Sequence, residues 1–198
     1  HRPFRRQRQM CIRDRFLKQY DFELEQRNSL ASAINIPIVA LTALGGALGS
    51  MAASYQYAND LFTYFFLAFV ILALTSLLIS LYQTFKSFAG YVYEKIPSTT
   101  KLSAHYEELK KWYEEQGTDE KAIEQLATAD FQTFLNDSVA KATDVNSQNN
   151  ITRGNYLHGA ITTIAFTFVF LLLSSSLYLY QKATSTEQIH QVKIVKQD

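Results

Sequence analysis

Three long runs of residues without a charged side chain constrain this chain more than any other feature. They cover residues 28–59, 61–85 and 154–181, so each is about 25 to 32 residues long. An α-helix needs about 20 predominantly apolar residues to cross the roughly 30 Å of hydrocarbon in a bilayer. The runs therefore predict an all-α integral membrane protein with three transmembrane helices.

The spacing of the runs also predicts how the chain is organised. The first two spans, at about 32–54 and 61–82, are joined by a turn too short for anything but an antiparallel transmembrane hairpin. A charged helical insert over 83–156 follows, and then the third transmembrane helix at 157–180. Residues 181–198 are expected to form a flexible tail.

The opening residues, 1–15, differ in composition from the rest of the chain. The segment RRQRQMCIRDR resembles translated sequencing-adapter read-through, so we expect residues 1–15 to be an artefactual leader. The alternative is a genuine basic arm suited to an anionic lipid surface, since residues 1–15 hold six arginines. Without it the chain has 13 basic and 17 acidic residues and no cysteine, because Cys11 lies in the leader. That balance gives no reason to expect a nucleic-acid partner, a disulfide or a thiolate site.

Residues 16–31 predict an amphipathic helix ahead of the first span. Tyr20 and Leu24 lie on one face of it, as the helical period requires. Glu23 lies four residues before Arg27, which is the spacing of an i,i+4 ion pair. We expect this interfacial helix either to lie along the membrane surface or to pack on the soluble helices.

The insert has a helical pattern with recognisable start and stop signals. The pattern of the second span continues to Tyr93 and is expected to end before Pro97. Ser103 is a candidate N-cap for the next helix, and Gly117 is its expected stop. From Thr118 no break is visible before the third span, which predicts one long helix running from the insert into the membrane.

Basic residues near the ends of the spans favour one orientation. On the side of the N-terminus and the insert we count Lys18, Arg27, Lys86, Lys95, Lys101, Lys141 and Arg153, and in the C-terminal tail Lys182, Lys193 and Lys196. Cytoplasmic loops are enriched in Lys and Arg. We therefore expect a multi-pass protein of the inner cell membrane, with the N-terminus and the 83–156 loop in the cytoplasm and the C-terminus outside.

A cluster of small residues lies in the first span. Gly45 and Gly49 form a GxxxG pattern, and Gly46 and Ser50 repeat the same spacing beside it. Such a pattern allows another helix to approach the backbone closely. We expect helix packing there with the second or third span of the same chain, and the alternative is self-association between chains. Small residues are also common in membrane helices that mark no interface.

A polar seam precedes the third span. On a helix, one narrow stripe resembling a coiled-coil seam contains Leu135, Val139, Ala142, Asn146, Asn150, Arg153 and Leu157. Asn146, Asn150 and Arg153 are its three polar members. One interpretation is a buried ladder that fixes register between helices, in one chain or around a symmetry axis, or that lines an aqueous vestibule. The alternative is that the asparagines are solvated and Arg153 snorkels to the interface.

The overall layout resembles a group of small bacterial membrane proteins. Asn146, Asn150, Arg153 and Leu157 leading into a last span are similar to small uncharacterised multi-pass proteins with a two-span hairpin and a helical cytosolic insert. Some two-span proteins of this layout accompany anti-phage systems, where they act on the membrane. The resemblance covers the layout and these four residues, and it implies a membrane-perturbing effector.

No pattern typical of a catalytic, cofactor or metal site is present in the sequence. The histidines, His1, His105, His158 and His190, fall in different segments, so they lack the spacing of metal ligands on one helix. Adjacent carboxylates such as Glu107 and Glu108 point about 100° apart on a helix and cannot share a substrate. We therefore expect no enzyme activity and no cofactor.

Two functional hypotheses follow. The first is a non-enzymatic, oligomer-forming membrane protein whose cytosolic helices couple to a partner or signal. Its partners would be the lipid bilayer and either a second copy or another membrane protein. The alternative is an accessory or anchoring subunit of a transporter or membrane enzyme complex.

Overall fold

A computed structural model of the chain describes residues 3–194, with side chains described over 13–184. Throughout this range the regular structure is helical: α1 is Pro3–Ala33, α2 is Asn35–Ser54, α3 is Leu61–Phe88, α4 is Thr99–Glu115 and α5 is Glu120–Ile194. Three helical stretches are long and apolar enough to cross a membrane, namely Arg13–Ser54, Leu61–Phe88 and Glu120–Thr184. The prediction of an all-α chain with three such helices is confirmed.

Helices α1 and α2 are separated by one turn residue, Ile34. Proline lacks an N–H and its ring clashes with the carbonyl four residues earlier, so Pro37 cannot lie inside a continuous helix without strain. Here it occupies the first turn of α2, where its N–H is not needed. The proline thus accounts for the boundary between the two helices.

The connection between α2 and α3 is closed by a capping residue and an aromatic stack. The Asp60 side chain accepts a hydrogen bond from the Thr63 N–H at 2.8 Å, which satisfies one of the free donors at the start of α3. The rings of Tyr55 and Phe66 stack at a centroid distance of 3.8 Å, and both are buried.

Helix α3 ends at Phe88, so the prediction that its pattern continues to Tyr93 is wrong. Gly90 has a φ of 95°, a conformation that glycine adopts without steric cost, and the chain turns there into an extended segment. Helix α4 then begins at Thr99, with Ser98 at its N-cap. Ser103 lies inside this helix, and its predicted capping role is also wrong.

Helix α5 is the predicted long helix. Gly117, with a φ of 70°, follows the end of α4, and the Asp119 carbonyl accepts the N–H groups of Ala122 and Ile123. From Glu120 the helix continues for 75 residues to Ile194. Residues 181–194, expected to belong to a flexible tail, are therefore helical, and residues 195–198 lie outside the described range.

The described residues divide into two compact units. The first contains the chain up to Leu30 together with Tyr91–Thr152, and the second contains Ala31–Gly90 and the chain from Arg153 onward. Helix α5 contributes residues to both.

In the first unit, α1 and α4 both pack on α5. The apolar cluster consists of Tyr20, Val139 and Ala142 with Leu17, Leu24, Ile96 and Leu135 around them. The apolar face of α1 therefore packs on a neighbouring helix, which is the second of the two arrangements expected for it. On α4, the His105 ring lies 4.2 Å from that of Phe134, and the Tyr106 ring lies 5.4 Å from that of Phe131.

The second unit buries small polar side chains and exposes large apolar ones. Its buried residues include Thr63, Ser76, Ser80, Thr84, Ser87, Thr167 and Ser174. Its exposed residues include Phe65, Leu72, Ile79, Phe85, Phe168 and Leu172. Soluble proteins show the opposite trend, whereas small and hydroxyl residues are typical of contacts between helices packed in hydrocarbon.

Candidate functional site

Asn146 of α5 binds the backbone of the extended segment that follows α3. The Glu94 N–H donates to its Oδ1 at 2.9 Å, and its Nδ2 donates to the Glu94 carbonyl at 3.1 Å. The side chain is 0% exposed. A buried amide is costly unless it is hydrogen-bonded, and here both ends of the amide are paired.

Asn150, one turn later, joins three segments of the first unit. Its Nδ2 donates to both the backbone carbonyl and the Oε2 of Glu23, each at 2.8 Å. Its Oδ1 accepts from the Tyr93 hydroxyl at 2.6 Å. Asn150 therefore connects α1, α5 and the extended segment, and it is buried rather than solvated.

A third asparagine, which the sequence reasoning missed, completes the contact. The Asn149 Nδ2 donates to the Val92 carbonyl at 2.8 Å. Asn149 lies three residues after Asn146, so the two side chains project from one face of α5. We call Asn146, Asn149 and Asn150 the asparagine track, and residues 91–97, which they hold, the strap.

The predicted ion pair between Glu23 and Arg27 does not form. Glu23 is buried and accepts from Gln19 Nε2 at 3.0 Å as well as from Asn150. The Arg27 guanidinium lies instead over the Tyr93 ring, 4.7 Å from its centroid. The pairing is lost because Glu23 points to a polar partner inside the unit, while Arg27 finds an aromatic face on the strap.

Arg153, the third polar member of the predicted seam, belongs to the second unit. Its Nε donates to the Ser87 carbonyl at 2.9 Å, and its own carbonyl accepts from the Ser87 hydroxyl at 3.0 Å. Both residues are buried. The predicted seam therefore makes contacts within one chain: its asparagines hold the strap, and its arginine is paired with the end of α3.

Hydroxyl groups continue the contact between α3 and α5. The Ser76 hydroxyl donates to the Thr163 carbonyl at 2.8 Å, and the Ser80 hydroxyl donates to the Ala160 carbonyl at 3.0 Å. As residue numbers rise along α3, those of the partners fall along α5, so the two helices are antiparallel. These bonds satisfy buried hydroxyls on the neighbouring helix and specify the register of the pair.

Gln83 is a further polar residue of this interface. Its Oε1 accepts from the Thr163 hydroxyl at 3.2 Å. A Cβ placed on Gly159 would come within 3.0 Å of the Gln83 amide. Gly159 thus leaves the space in which that amide lies.

The GxxxG residues lie mostly on an open face of α2. A Cβ on Gly45 would lie 3.8 Å from Leu77 Cδ1, an ordinary contact with α3. A Cβ on Gly46 or Gly49 would meet nothing within 4 Å, and Ser50 is exposed. Within the described residues, therefore, the pattern as a whole does not bring a second helix close to this backbone.

Two exposed groups have pKa values displaced by hydrogen bonds. The side chain and N–H of Thr63 donate to Asp60 and hold the pKa of that carboxyl below its usual 3.8. The Tyr113 hydroxyl donates to Asp130 Oδ2 at 2.6 Å, which raises the pKa of Tyr113 above its usual 10.0. The first contact caps the start of α3, and the second joins the end of α4 to α5.

The remaining candidate ligands are scattered. Over the residues that the structure describes, no group of three His, Cys, Asp or Glu side chains is placed to hold a metal ion. His105 packs on Phe134, and its Nδ1 lies 3.7 Å from Glu108, whereas His158 is exposed on α5. The side chains of Cys11, His1 and His190 lie outside the described range.

Comparison with family models, curated proteins and solved structures found no match to this chain.

Proposed function

We propose that the chain is a non-enzymatic integral membrane protein with three spans. Its second unit would cross the inner cell membrane, and its first unit would lie in the cytoplasm and receive a partner or a signal. The observation that carries this proposal is the distribution of side chains in the second unit. Large apolar residues face outward on α2, α3 and α5, while serines and threonines lie between the helices.

Hydrocarbon is the solvent that this surface suits. In water, contiguous exposed apolar area of this extent promotes association or aggregation. In a bilayer the same side chains match their surroundings, and helices satisfy their own backbone groups. The interior hydroxyls of Ser76 and Ser80 are bonded to carbonyls of α5, so they too are satisfied without water.

Helix α5 supports a coupling role. It supplies residues to both units and is continuous over 75 residues. In the first unit it carries the asparagine track, and in the second it carries the carbonyl groups that pair with α3. One continuous helix therefore takes part in the contacts of both units.

The open face of α2 supports self-association. Gly46, Gly49 and Ser50 are exposed, and no side chain of the described residues fills the space over the two glycines. G49I is expected to weaken an oligomer that uses this face, and cross-linking in native membranes would detect the loss. A47I is the matched control, since Ala47 is also exposed but lies about 160° away around the helix.

A membrane-potential measurement tests the effector role that the layout implies. Inducible expression in cells loaded with a potential-sensitive dye is expected to cause rapid depolarisation, and G49I is expected to reduce it while A47I does not. An unchanged potential, together with a stoichiometric permease or synthase in the purified complex, would support the accessory-subunit role instead.

A further inference from the structure

As at Gln56 between α2 and α3, whose N–H and C=O pair with the Gln181 amide, side-chain amides of α5 hold the backbone of the strap. It is extended and lies beside no strand, yet its peptide groups at Val92 and Glu94 are paired with asparagine side chains. We propose that the asparagine track is a binding site for the backbone of an extended peptide, which the strap fills in this conformation and an extended segment of a partner fills when the strap leaves.

The geometry of the track matches an extended backbone. In an extended segment, residues two apart direct their N–H and C=O groups to the same side, so Val92 and Glu94 face α5 together. On a helix, residues three and four apart share a face, so the three asparagine side chains project toward the side of the strap on which the Val92 and Glu94 peptide groups lie. The asparagine amide carries an N–H donor and a C=O acceptor, as a peptide group does. It therefore supplies the hydrogen bonds that a neighbouring strand would supply in a sheet.

Tyr93 attaches the strap to Asn150 and Arg27, whereas the side chains of Val92 and Glu94 contribute little to the attachment. Val92 is 84% exposed, and the Glu94 carboxylate pairs with an exposed Lys141 at 3.1 Å, a contact of the kind that water and salt weaken. Ile96 is the strap residue that packs against the apolar cluster. Gly90, with its positive φ, and Pro97 bound the strap at its two ends.

Release of the strap would therefore exchange polar contacts for water and leave the packing of α1 on α5 in place. The partner that fits the vacated track is a peptide in extended conformation. An aromatic hydroxyl would take the place of Tyr93 at Asn150, and an acidic residue would take the place of Glu94 beside Lys141. This inference rests on the proposed function, because it names how the first unit receives its partner.

A competition experiment tests the site. The probe is a fluorescent synthetic peptide with the sequence of residues 91–98, YVYEKIPS, added to the purified full chain in mild detergent. E94P removes the N–H that binds Asn146, so the strap is weakened while the track is intact. Fluorescence anisotropy is expected to show at least tenfold tighter binding to E94P than to the wild type, whose track is occupied at the high effective concentration of a tethered segment.

The double variant E94P/N146L is the matched control, because it has the same weakened strap and lacks the central asparagine. It is expected to lose the binding that E94P gains. Equal binding to E94P and E94P/N146L, or no binding to E94P, would overturn the proposal.

Hydrogen exchange of the single variant N146L gives an independent readout if E94P fails to fold. Exchange across the strap is expected to accelerate at least tenfold more than exchange over residues 131–145 of α5. Equal acceleration of both segments would show that the strap is an integral part of the unit and is not exchangeable. Neither readout uses the membrane potential, so peptide binding without depolarisation would remove the effector role alone, and depolarisation without peptide binding would remove this inference alone.

Discussion

Asn146 illustrates at the scale of one residue why polar side chains occur in an apolar seam. Its amide has no exposed surface, and burial of an amide without partners would cost several kcal/mol. The Glu94 peptide group has the same problem, because the strap has no neighbouring strand. The two hydrogen bonds between the Asn146 amide and the Glu94 peptide group satisfy both groups. Removing one group leaves the other without a hydrogen-bond partner.

N146L is therefore expected to destabilise the first unit by about 1–3 kcal/mol, since it leaves a part-buried donor and acceptor of the strap without partners. The measurement is denaturant unfolding followed by the fluorescence of Trp112, the single tryptophan of the chain. Trp112 lies on α4, directly after the strap in sequence, so its signal reports on this unit.

The control for this substitution is N155L. Asn155 lies on the same helix but is exposed, so its replacement by leucine is expected to change the free energy of unfolding by less than about 0.5 kcal/mol. Equal effects of N146L and N155L would show that the strap contacts contribute nothing to stability.

Helical spacing predicted the stripe of Asn146, Asn150 and Arg153 but not their partners. The strap is bound through backbone atoms, which carry no signature in the sequence, so Asn149 and its bond to Val92 were missed. For the same reason the i,i+4 rule favoured a Glu23 pair with Arg27, although the Asn150 amide competes successfully for that carboxylate. Spacing specifies a face of a helix, whereas tertiary contacts decide what the face meets.

Asp60 gives a pH-dependent prediction at this scale. Hydrogen bonds from Thr63 lower the pKa of its carboxyl in the folded chain, so the charged form stabilises the start of α3. This stabilisation is complete above the unfolded value of about 3.8 and is lost as the pH falls through the lower folded value. The difference in melting temperature between the wild type and D60A, followed by circular dichroism in mild detergent, is expected to shrink in that window.

The variant D60N separates titration from general acid damage, because its amide oxygen can cap α3 but cannot gain a proton in this range. The difference between D60N and D60A is expected to stay constant as the pH falls. A constant difference between the wild type and D60A as well would refute the role of the Asp60 charge.

At the scale of helices, the pairing of α3 with α5 depends on small residues that allow close approach. Ser80 is completely buried, and its hydroxyl donates to the Ala160 carbonyl of α5. A larger side chain there must push the two helices apart. Overpacking of a tight interface costs about 1–3 kcal/mol, whereas loss of one interhelical hydrogen bond in a membrane protein costs about 0.6 kcal/mol.

S80L is accordingly expected to lower the melting temperature in detergent clearly more than S80A does. T75L is the matched control, because Thr75 is exposed on the same helix and bonds to its own Ile71 carbonyl. The T75L melting temperature is expected to match that of the wild type. If S80L and T75L melted alike, the packing of α3 on α5 through small residues would be refuted.

Long elements were predicted better than their ends. The unbroken helical pattern after Thr118 indicated α5, and Gly117 indicated the stop of α4, because local propensity and tertiary structure agree there. Around Tyr93 they disagree: the residues have a helical pattern, but Gly90 turns the chain and the asparagine track holds it extended. A pattern of apolar residues cannot anticipate a partner that binds peptide groups.

At the scale of the whole molecule, hydropathy specified which segments can cross a bilayer, and it left their pairing open. The charge-free runs end close to the helix ends at Ser54 and Phe88 because a charged residue is expensive in hydrocarbon. The faces of α3 and α5 that meet are determined instead by the hydroxyl groups of Ser76, Ser80 and Ser87, which bond to carbonyls of α5. A hydropathy average registers these serines only as slightly less apolar positions.

The proposed topology makes a prediction about reagent access in intact cells. In a C11S background, which contains no other cysteine, single cysteines are placed at Ala58 between α2 and α3, at Lys111 on α4, and at Leu72 on the exposed face of α3. A membrane-impermeant maleimide is expected to label A58C from outside and K111C only after lysis. L72C is expected to resist labelling in both conditions, because hydrocarbon disfavours the reactive thiolate.

The pattern of labelling separates the ways in which this topology could be wrong. If K111C were labelled from outside and A58C only after lysis, the three spans would stand but the orientation drawn from the basic residues would be reversed. Labelling of A58C and K111C from the same side would mean that α3 does not cross the bilayer, since it is the helix that separates them. Ready labelling of L72C would place the apolar face of α3 in water, and the distribution of side chains in the second unit would then require a protein partner in place of lipid.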